Sequence, residues 1–309
     1  MILKNYKNKS LNELNPDQIA KDTAEYGLVI IENSDCSPKQ FADWSLQYGY
    51  HLSPRIWCTD TEHSELFWRV TNKVIDNENQ GLFADYELNW HTNITPVPDA
   101  EECVGLYGKE ITYTTQTWFC NSIEWFDKQT KDFKEYLESL TVVLDPKREL
   151  GLIKSIWQPN FKNIYGDKVF DDIKKNRRTR NICLAANLET ENVDAFQNSR
   201  GIINECRLVP KHPLGVKGIF FTPYEIHGFK QDGKYIKDSK KLWDLLYTDL
   251  VNNEKNIYKH TWKVGDIVLM DQLLTIHKRP DIKKNQTREL LRIASWYKKH
   301  LRIHNNYTL

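Results

Sequence analysis

Two polar side chains separated by one residue, His91 and Asn93, are the first in this chain whose types and spacing suggest chemistry. They lie in the segment 88–95, which we predict to be a β-strand. Side chains at positions i and i+2 of a strand project from the same face. His91 and Asn93 should therefore reach one point inside a sheet, where an imidazole could bind a metal ion or act as a base.

A second group of candidate residues lies nearer the C-terminus. His277 is followed by Arg288 and Arg292, which are four positions apart and so share a face of a predicted strand. A charge on an inward face is costly unless an anion pairs with it, and the planar guanidinium can grip a carboxylate with two hydrogen bonds. This group predicts a pocket for a carboxylate next to a metal or a base. Arginines on the exposed face of an edge strand would show the same spacing.

The elements expected to position these residues are mostly short strands. Apolar and alternating runs predict strands at 27–32, 67–71, 104–107, 215–222, 266–270 and 290–297. Helices are predicted at 18–26, 38–48, 123–140 and 238–253. Because helices do not separate every pair of strands, the pattern favours an antiparallel sandwich or jelly roll over a parallel sheet. The predicted fold class is α+β, mainly β.

Length and composition narrow the class of protein. The chain has 309 residues, 40% of them apolar, which is enough for a large core. Its 43 basic and 42 acidic residues leave a formal charge of +1, so a dedicated nucleic-acid binder is disfavoured. No apolar run approaches the ~20 residues of a membrane-spanning helix, and the N-terminal residues have no apolar core of signal-peptide length.

Six cysteines are spread along the chain without a Cys-x-x-Cys pair. They predict reduced thiols, and hence a cytoplasmic protein, rather than a disulfide framework or a zinc site. We expect one domain over 1–309, with an N-terminal part at 1–60, a jelly-roll core at about 64–145 and 205–300, and an insertion or lid at about 147–205. The insertion contains a basic cluster at 174–180, which is typical of a solvated loop or an active-site cover.

Three motifs, taken in order, carry a resemblance to a known family. They are Trp90-His91-Thr92, then Thr115-Gln116-Thr117-Trp118-Phe119, then Trp262-x-x-Gly265-Asp266 with His277, Arg288 and Arg292. This series resembles the taurine dioxygenase (TauD/TfdA) family of Fe(II)- and 2-oxoglutarate-dependent oxygenases. The match runs from about residue 39 to residue 297. Its C-terminal half is the more specific, because a histidine followed by arginines at +11 and +15 is a demanding spacing.

The resemblance implies a double-stranded β-helix, a jelly roll with helices packed outside. It also implies that His91 and His277 bind iron, with position 93 providing the third ligand. Two histidines and a carboxylate on one face of the metal leave three positions open, two for the keto acid and one for oxygen. His91, Asn93 and His277 are thus the expected catalytic and metal-binding residues.

The same resemblance assigns the residues that hold the co-substrate. Arg288 and Thr117 would bind the distal carboxylate of 2-oxoglutarate. Arg292 would lie near the iron and face either the keto acid or an anionic group of the substrate. Trp90 and Trp262 are expected to be packing residues.

The chain departs from the family motif at Asn93, where the family has Asp or Glu. Asparagine is neutral and would bind iron weakly, through its amide oxygen. Three outcomes follow from this departure. Asn93 could act as a weak ligand or leave its place to water; the lost charge could open a site for chloride, as in related halogenases; or catalysis could be lost and ligand binding kept.

Other acidic residues could in principle replace the lost carboxylate. Asp99 and Glu101 follow the motif, but the chain would have to turn back for either to reach the metal. Asp271 precedes His277 and is expected to brace the turn between two strands. We therefore treat Asn93 as the residue at the third ligand position.

The expected activity is oxidation, above all hydroxylation, of an unactivated C–H bond in a small polar molecule such as an amino acid or a natural-product intermediate, with release of succinate and CO2. The alternatives are a halogenase or desaturase, and a catalytically impaired jelly-roll protein that binds a ligand. The expected cofactors are Fe(II) and 2-oxoglutarate, and the expected partners are a small-molecule substrate and molecular oxygen. The predicted helices at 123–140 and 238–253 could support a homodimer; neither nucleic acid nor membrane is expected.

Overall fold

The computed structural model describes residues 3–51, 59–81, 87–93, 101–144, 205–212, 214–223, 226–280, 282 and 286–298. The insertion or lid predicted at 147–205 lies outside these residues, apart from Glu205.

Helices and strands alternate irregularly along the chain. The α-helices are α1 (Pro16–Tyr26), α2 (Pro38–Tyr48), α3 (Ser122–Asp127), α4 (Lys131–Glu138) and α5 (Ser239–Leu245); a π-helical stretch (Leu246–Val251) follows α5, and 3-10 turns occupy Leu11–Glu13 and Glu254–Asn256. The strands are β1 (Lys4–Lys7), β2 (Leu28–Glu32), β3 (Gly49–His51), β4 (Trp68–Thr71), β5 (Val74–Ile75), β6 (Glu78–Asn79), β7 (Leu88–His91), β8 (Cys103–Ile111), β9 (Gln116–Asn121), β10 (Leu140–Leu144), β11 (Glu205–Arg207), β12 (Ile226–Gln231), β13 (Lys234–Tyr235), β14 (Ile257–Thr261), β15 (Ile267–Asp271), β16 (Thr275–Arg279) and β17 (Arg288–Tyr297).

Two antiparallel sheets face each other and form the centre of the fold. The larger has the order β1-β2-β15-β8-β17-β3, with β4 also paired to β17; the smaller has the order β14-β9-β16-β7. Phe119 of the smaller sheet packs in one apolar cluster with Leu290 and Ala294 of the larger sheet. The pairing of β1 with β2 is parallel, and the remaining pairs described in these two sheets are antiparallel. This is the sandwich that the strand spacing predicts.

The outer face of the larger sheet is covered by α1 and α2. Asn15 caps α1 by accepting hydrogen bonds from the backbone of Asp17 and Gln18, and the helix ends at Gly27, whose φ is +76°. Phe41 and Tyr48 of α2 lie in the same apolar cluster as the core-facing residues of α1 and of β2. Both helices and the strand after α1 confirm the sequence prediction.

The prediction of a strand at 215–222 is wrong. Ile219, Phe220 and Phe221 are fully buried, as the apolar run suggested, but the segment joins no sheet. The backbone N–H of Ile219 donates to the hydroxyl of Ser122 at 2.8 Å, so a side chain takes the place of a ladder partner. An apolar run shows burial without showing which group satisfies the backbone.

The predicted helix at 123–140 is two shorter helices. A break at residues 128–130 separates α3 from α4, and Thr130 accepts a hydrogen bond from Phe133 N as the N-cap of α4. The residues after α4 enter β10, at the centre of a third sheet of order β11-β10-β12-β13. The segment predicted as a helix at 238–253 is helical from Ser239 to Val251, with its second half in π geometry.

Four of the six cysteines lie in the described part of the chain. Cys36, Cys103, Cys120 and Cys206 are free and buried, as expected of reduced thiols. Within the described residues, no helix is long and apolar enough to cross a membrane.

His51 on β3 gives a prediction about pH and stability. Burial lowers the pKa of His51 to about 4, and its Nε2 lies 2.9 Å from the carbonyl oxygen of Ser45. Since the folded-state pKa lies below the unfolded value of about 6.5, this contribution to stability is complete above pH 6.5 and is lost as the pH falls towards 4. Between pH 6.5 and 5 the loss should be about 2 kcal/mol.

The variant His51→Gln keeps an amide donor for Ser45 but does not titrate. Urea denaturation at pH 7 and pH 5 should show a smaller decrease in the free energy of unfolding for this variant than for the wild type. Equal decreases for the two proteins would show that His51 is not buried in its neutral form.

Candidate active site

The two histidines singled out in the sequence are opposite each other on neighbouring strands. β16 lies between β7 and β9, and His277 on β16 pairs in register with His91 on β7. Their ring centroids are 4.1 Å apart, and the residues are 6% and 8% exposed. Backbone pairing on both sides of β16 thus fixes the separation of the two imidazoles.

The surroundings of both rings are compatible with metal binding. The Nδ1 atom of His91 is 2.6 Å from the carbonyl oxygen of Asn89, so that nitrogen is a hydrogen-bond donor and Nε2 is the one that could bind a metal ion. The Nδ1 atom of His277 is buried and has no hydrogen-bond partner. Burial, followed by the charges of His91, Arg292 and Arg288, holds the pKa of His277 well below its usual value. His277 is therefore neutral at pH 7, which is the form that binds metals.

Asn93 lies just beyond the strand. The prediction that one strand carries both His91 and Asn93 is wrong, since β7 ends at His91 and Asn93 is in a bend. The backbone N–H of Asn93 donates to Oε1 of Gln272 at 2.8 Å. Its side-chain amide makes no hydrogen bond to the described part of the chain, and is therefore available to a ligand.

Arg288, Thr117 and Trp262 form a buried polar group between the two sheets. Nη2 of Arg288 donates to Oγ1 of Thr117 at 2.6 Å, and Nε1 of Trp262 donates to the same oxygen at 2.9 Å. Because Thr117 accepts both bonds, its own hydroxyl proton can be donated to an oxygen atom of a ligand. The Arg288 guanidinium also lies 5.9 Å from the Trp262 ring.

Arg288 has no acidic partner among the described residues. It is 2% exposed, and its Nε atom is buried without a hydrogen bond. Burial, and next to it the positive charge of Arg279, lowers the pKa of the Arg288 guanidinium well below its usual value. A charge in such surroundings is stabilised by a bound anion, and the fork of donors matches a carboxylate.

Arg292 shares the face of β17 with Arg288 but has a partner within the protein. Its Nη2 atom forms an ion pair with Glu101, and both residues are almost fully buried. The guanidinium also lies over the ring of Trp68, 4.6 Å from the centroid. Two arginines that look equivalent in the sequence are therefore different in the structure, since one is neutralised by a carboxylate and the other is not.

The turn that leads into β16 is braced by Asp271, as expected. Its Oδ1 atom accepts hydrogen bonds from the backbone of Leu273 and Leu274, at 2.8 and 3.0 Å. Its Oδ2 atom is 3.2 Å from the hydroxyl of Tyr297. Asp271 therefore supports the strand that carries His277.

The residues present fit a metal ion with a bound keto acid. Two buried imidazoles face each other, Nδ1 of His277 has no hydrogen-bond partner, and Asn93 offers an amide oxygen two residues after His91. Arg288 and Thr117 together supply a positive charge and donors suited to a carboxylate. A metal site of this kind, next to a positively charged site for a carboxylate, suits a divalent ion that is chelated by an anion.

A second group of possible metal ligands, Asp60, Glu62 and His63, is less suited to a cation. Their ligand atoms lie within 4.8 Å of one another. However, Nζ of Lys109 is 3.0 Å from Glu62, so an ammonium group already neutralises part of the acidic charge.

The sequence matches the family model described as "Taurine catabolism dioxygenase TauD, TfdA family" over residues 4–294. The chain belongs to this family, whose members are dioxygenases that depend on Fe(II) and 2-oxoglutarate. It is therefore an oxidoreductase that acts on a small molecule with O2. The resemblance found in the sequence motifs is confirmed.

Solved structures show the same fold. A taurine dioxygenase from Burkholderia xenovorans is 15% identical, with a TM-score of 0.61 over 94% of this chain and 85% of that one. AAD-2, solved in complex with Mn(II) and N-oxalylglycine, is 14% identical, with a TM-score of 0.60 over 96% and 94% of the two chains. No curated protein sequence matches this chain significantly. The predicted jelly roll is confirmed.

Three residues near the site were missed or undervalued in the sequence. Trp262 is a hydrogen-bond donor to Thr117, and is thus more than a packing residue. Gln272 binds the backbone of Asn93, and Glu101 neutralises Arg292. The only available signal was that Glu101 follows the histidine motif; nothing marked Gln272.

The Glu101–Arg292 pair yields a prediction about stability. Glu101→Gln would leave the guanidinium buried without its counter-charge, so the free energy of unfolding should fall by about 3–5 kcal/mol. Adding Arg292→Met to this variant should restore part of the loss, because it removes the unpaired charge. Urea denaturation measures both effects.

The exposed pair of Lys39 and Asp43 on α2 is the control. Asp43→Asn should leave the free energy of unfolding almost unchanged, because water already solvates both charges. An equally small effect of Glu101→Gln would mean that Arg292 is solvated and does not depend on Glu101.

Proposed function

We propose that this protein hydroxylates a C–H bond of a small polar molecule, with His91, His277 and Asn93 as the metal site and Arg288 and Thr117 as the site for the distal carboxylate of 2-oxoglutarate. The observation that carries this proposal is the buried Arg288, which has no acidic partner in the described chain but holds Thr117 at 2.6 Å. A buried cation without a counter-charge is costly, and an anionic ligand would reduce that cost.

Each residue of the site has a definite task. His91 and His277 offer ring nitrogen atoms to iron, in positions set by strand pairing. Arg288 and Thr117 orient the keto acid by its far carboxylate, while Trp262 fixes the Thr117 hydroxyl. Iron with bound 2-oxoglutarate supplies the oxidising chemistry, in which O2 is consumed and succinate and CO2 are released. The apolar residues between the sheets keep water away from this region.

Arg292 was expected to face the keto acid or an anionic group of the substrate. Its pairing with Glu101 neutralises most of its charge, although its Nη1 atom is buried without a hydrogen bond. We infer that Arg292 offers this remaining donor to a ligand oxygen near His277, whose pKa it lowers. An amino acid or another polar natural-product intermediate provides such oxygen atoms.

Asn93 is the observation that favours a second candidate function. A neutral residue at the third ligand position leaves the metal one negative charge short, and a chloride ion could supply it in a halogenase. Asparagine is bulkier than the small residues that leave room for a halide, so we rank hydroxylation above halogenation or desaturation. A ligand-binding protein without catalysis is the remaining alternative.

The proposal is tested by an anaerobic titration of the protein with Fe(II) and 2-oxoglutarate. A chelated keto acid gives a weak visible charge-transfer band, which should appear and saturate in the wild type. The variant Arg288→Leu should weaken 2-oxoglutarate binding by about 30-fold or more, since truncating a buried ionic partner costs about 2–5 kcal/mol. Saturation of the band should then require higher concentrations of 2-oxoglutarate.

Arg69→Leu is a matched control, because Arg69 lies on the larger sheet and pairs with Glu289. It should leave the 2-oxoglutarate affinity unchanged. Unchanged affinity in Arg288→Leu would remove Arg288 from its proposed role. A wild type that neither retains iron nor shows the band would favour the ligand-binding alternative, whereas a band that chloride perturbs would favour halogenation.

Asn93→Asp tests the third ligand position directly. A carboxylate beside the two imidazoles should tighten metal binding by roughly tenfold or more, about 1.4 kcal/mol, because it adds a charged ligand. The affinity for Mn(II) can be measured from the EPR signal of the free ion. If the affinity does not change, side chain 93 does not point at the metal.

A further inference from the structure

A buried hydrogen bond joins the two segments that carry the proposed metal ligands. The amide oxygen of Gln272 accepts from the backbone N–H of Asn93 at 2.8 Å, across 179 positions of sequence. Gln272 is fully buried and lies in the turn between β15 and β16, three residues before β16 begins. One side chain therefore ties the segment after His91 to the turn before His277.

Strand pairing does not provide this connection. His91 and His277 are held by the ladder between β7 and β16, but that ladder ends at His91. Asn93 lies in a bend, and the bond to Gln272 is the one that its backbone or side chain makes within the described residues. The position of the third ligand thus depends on Gln272, whereas the first two depend on the sheet.

Gln272 is itself held firmly. Its backbone N–H donates to the carbonyl oxygen of Glu102 at 3.0 Å, and Asp271 braces the turn in which it lies. Its Nε2 atom is 3.4 Å from the carbonyl oxygen of Met270. Because both polar atoms of the side-chain amide are hydrogen-bonded, Gln272 can act as a fixed support for Asn93.

We propose that Gln272 is a positioning residue for the metal site: its amide oxygen fixes the backbone at Asn93, and so determines where the Asn93 side chain stands relative to His91 and His277. The inference rests on the proposed function, because it takes these three residues as the metal site. It explains how a neutral, weak ligand can still contribute, since a preorganised ligand loses less entropy on binding.

The test compares three variants at position 272. Gln272→Met removes the acceptor and keeps an unbranched side chain of similar length. Gln272→Asn keeps the amide but is one methylene shorter, so its oxygen falls short of Asn93. Gln272→Glu keeps an acceptor oxygen at the same distance from the backbone, whether or not it is ionised.

Mn(II) is the probe, and its binding is measured by EPR of the free ion in the presence of saturating 2-oxoglutarate. The Met and Asn variants should bind Mn(II) about 10- to 100-fold more weakly, as is usual when a residue that supports a metal ligand is lost. Gln272→Glu should bind at least as tightly as the wild type. The two loss variants are independent, so a folding failure in one leaves the other to decide.

A double-mutant cycle separates positioning from a general structural role. If Gln272 acts through Asn93, then Gln272→Met should have little further effect on Mn(II) affinity in an Asn93→Ala background. Fully additive effects would overturn the proposal, as would Mn(II) binding of wild-type strength in both loss variants. A wild type that binds no Mn(II) would instead contradict the proposed function, so the two failures are distinguishable.

Discussion

The cost of burying positive charge between two β-sheets governs the arrangement of this site. Arg288 and Arg292 both project from β17 into the sandwich, where a guanidinium loses most of its hydration. The fold compensates for one of them with Glu101, and leaves the other beside Thr117 and Trp262. Arg292 thus has its counter-charge within the protein, whereas Arg288, in our proposal, would obtain one from a bound carboxylate.

The proposed metal site differs from the arginine pair, because none of its three side chains carries a negative charge. In the proposed metal site, His91, His277 and Asn93 would offer a divalent ion three ligands without any negative charge, and burial holds the pKa of His277 well below its usual value. The dianionic keto acid must then provide all of the local charge compensation. We therefore expect metal and co-substrate to bind as a mutually dependent pair more strongly than in relatives with a carboxylate at position 93, because each lacks a sufficient counter-charge without the other.

Local features of the sequence predicted much of the fold and the main site residues. The helices α1 and α2, the buried strand β2 and the bracing role of Asp271 follow from residue types at short range, whereas His91 and His277 were linked through the family resemblance. What escaped prediction depends on contacts between distant positions. Glu101 meets Arg292 across 191 residues, and the backbone of Asn93 meets the side chain of Gln272 across 179.

The failed strand at 215–222 has the same origin. Its backbone N–H groups at Ile219 and Phe220 donate to the Ser122 hydroxyl and to the carbonyl oxygen of Leu208. Neither partner can be recognised from the residues of the segment itself. Periodicity reports which face of a segment is apolar, but the choice between a ladder and an irregular buried segment is made by the partner. Sequence reasoning therefore identified candidate site residues but not the distant groups that support them.

The short turn between β15 and β16 also limits how this gene can change in length. Residues 272–274 alone separate Asp271 from Thr275, and alternate side chains of a strand face opposite ways. A one-codon insertion or deletion that shifted the register of β16 would turn His277 away from His91. Length variation among descendants of this sequence should therefore accumulate in other connections, while this turn keeps its three residues.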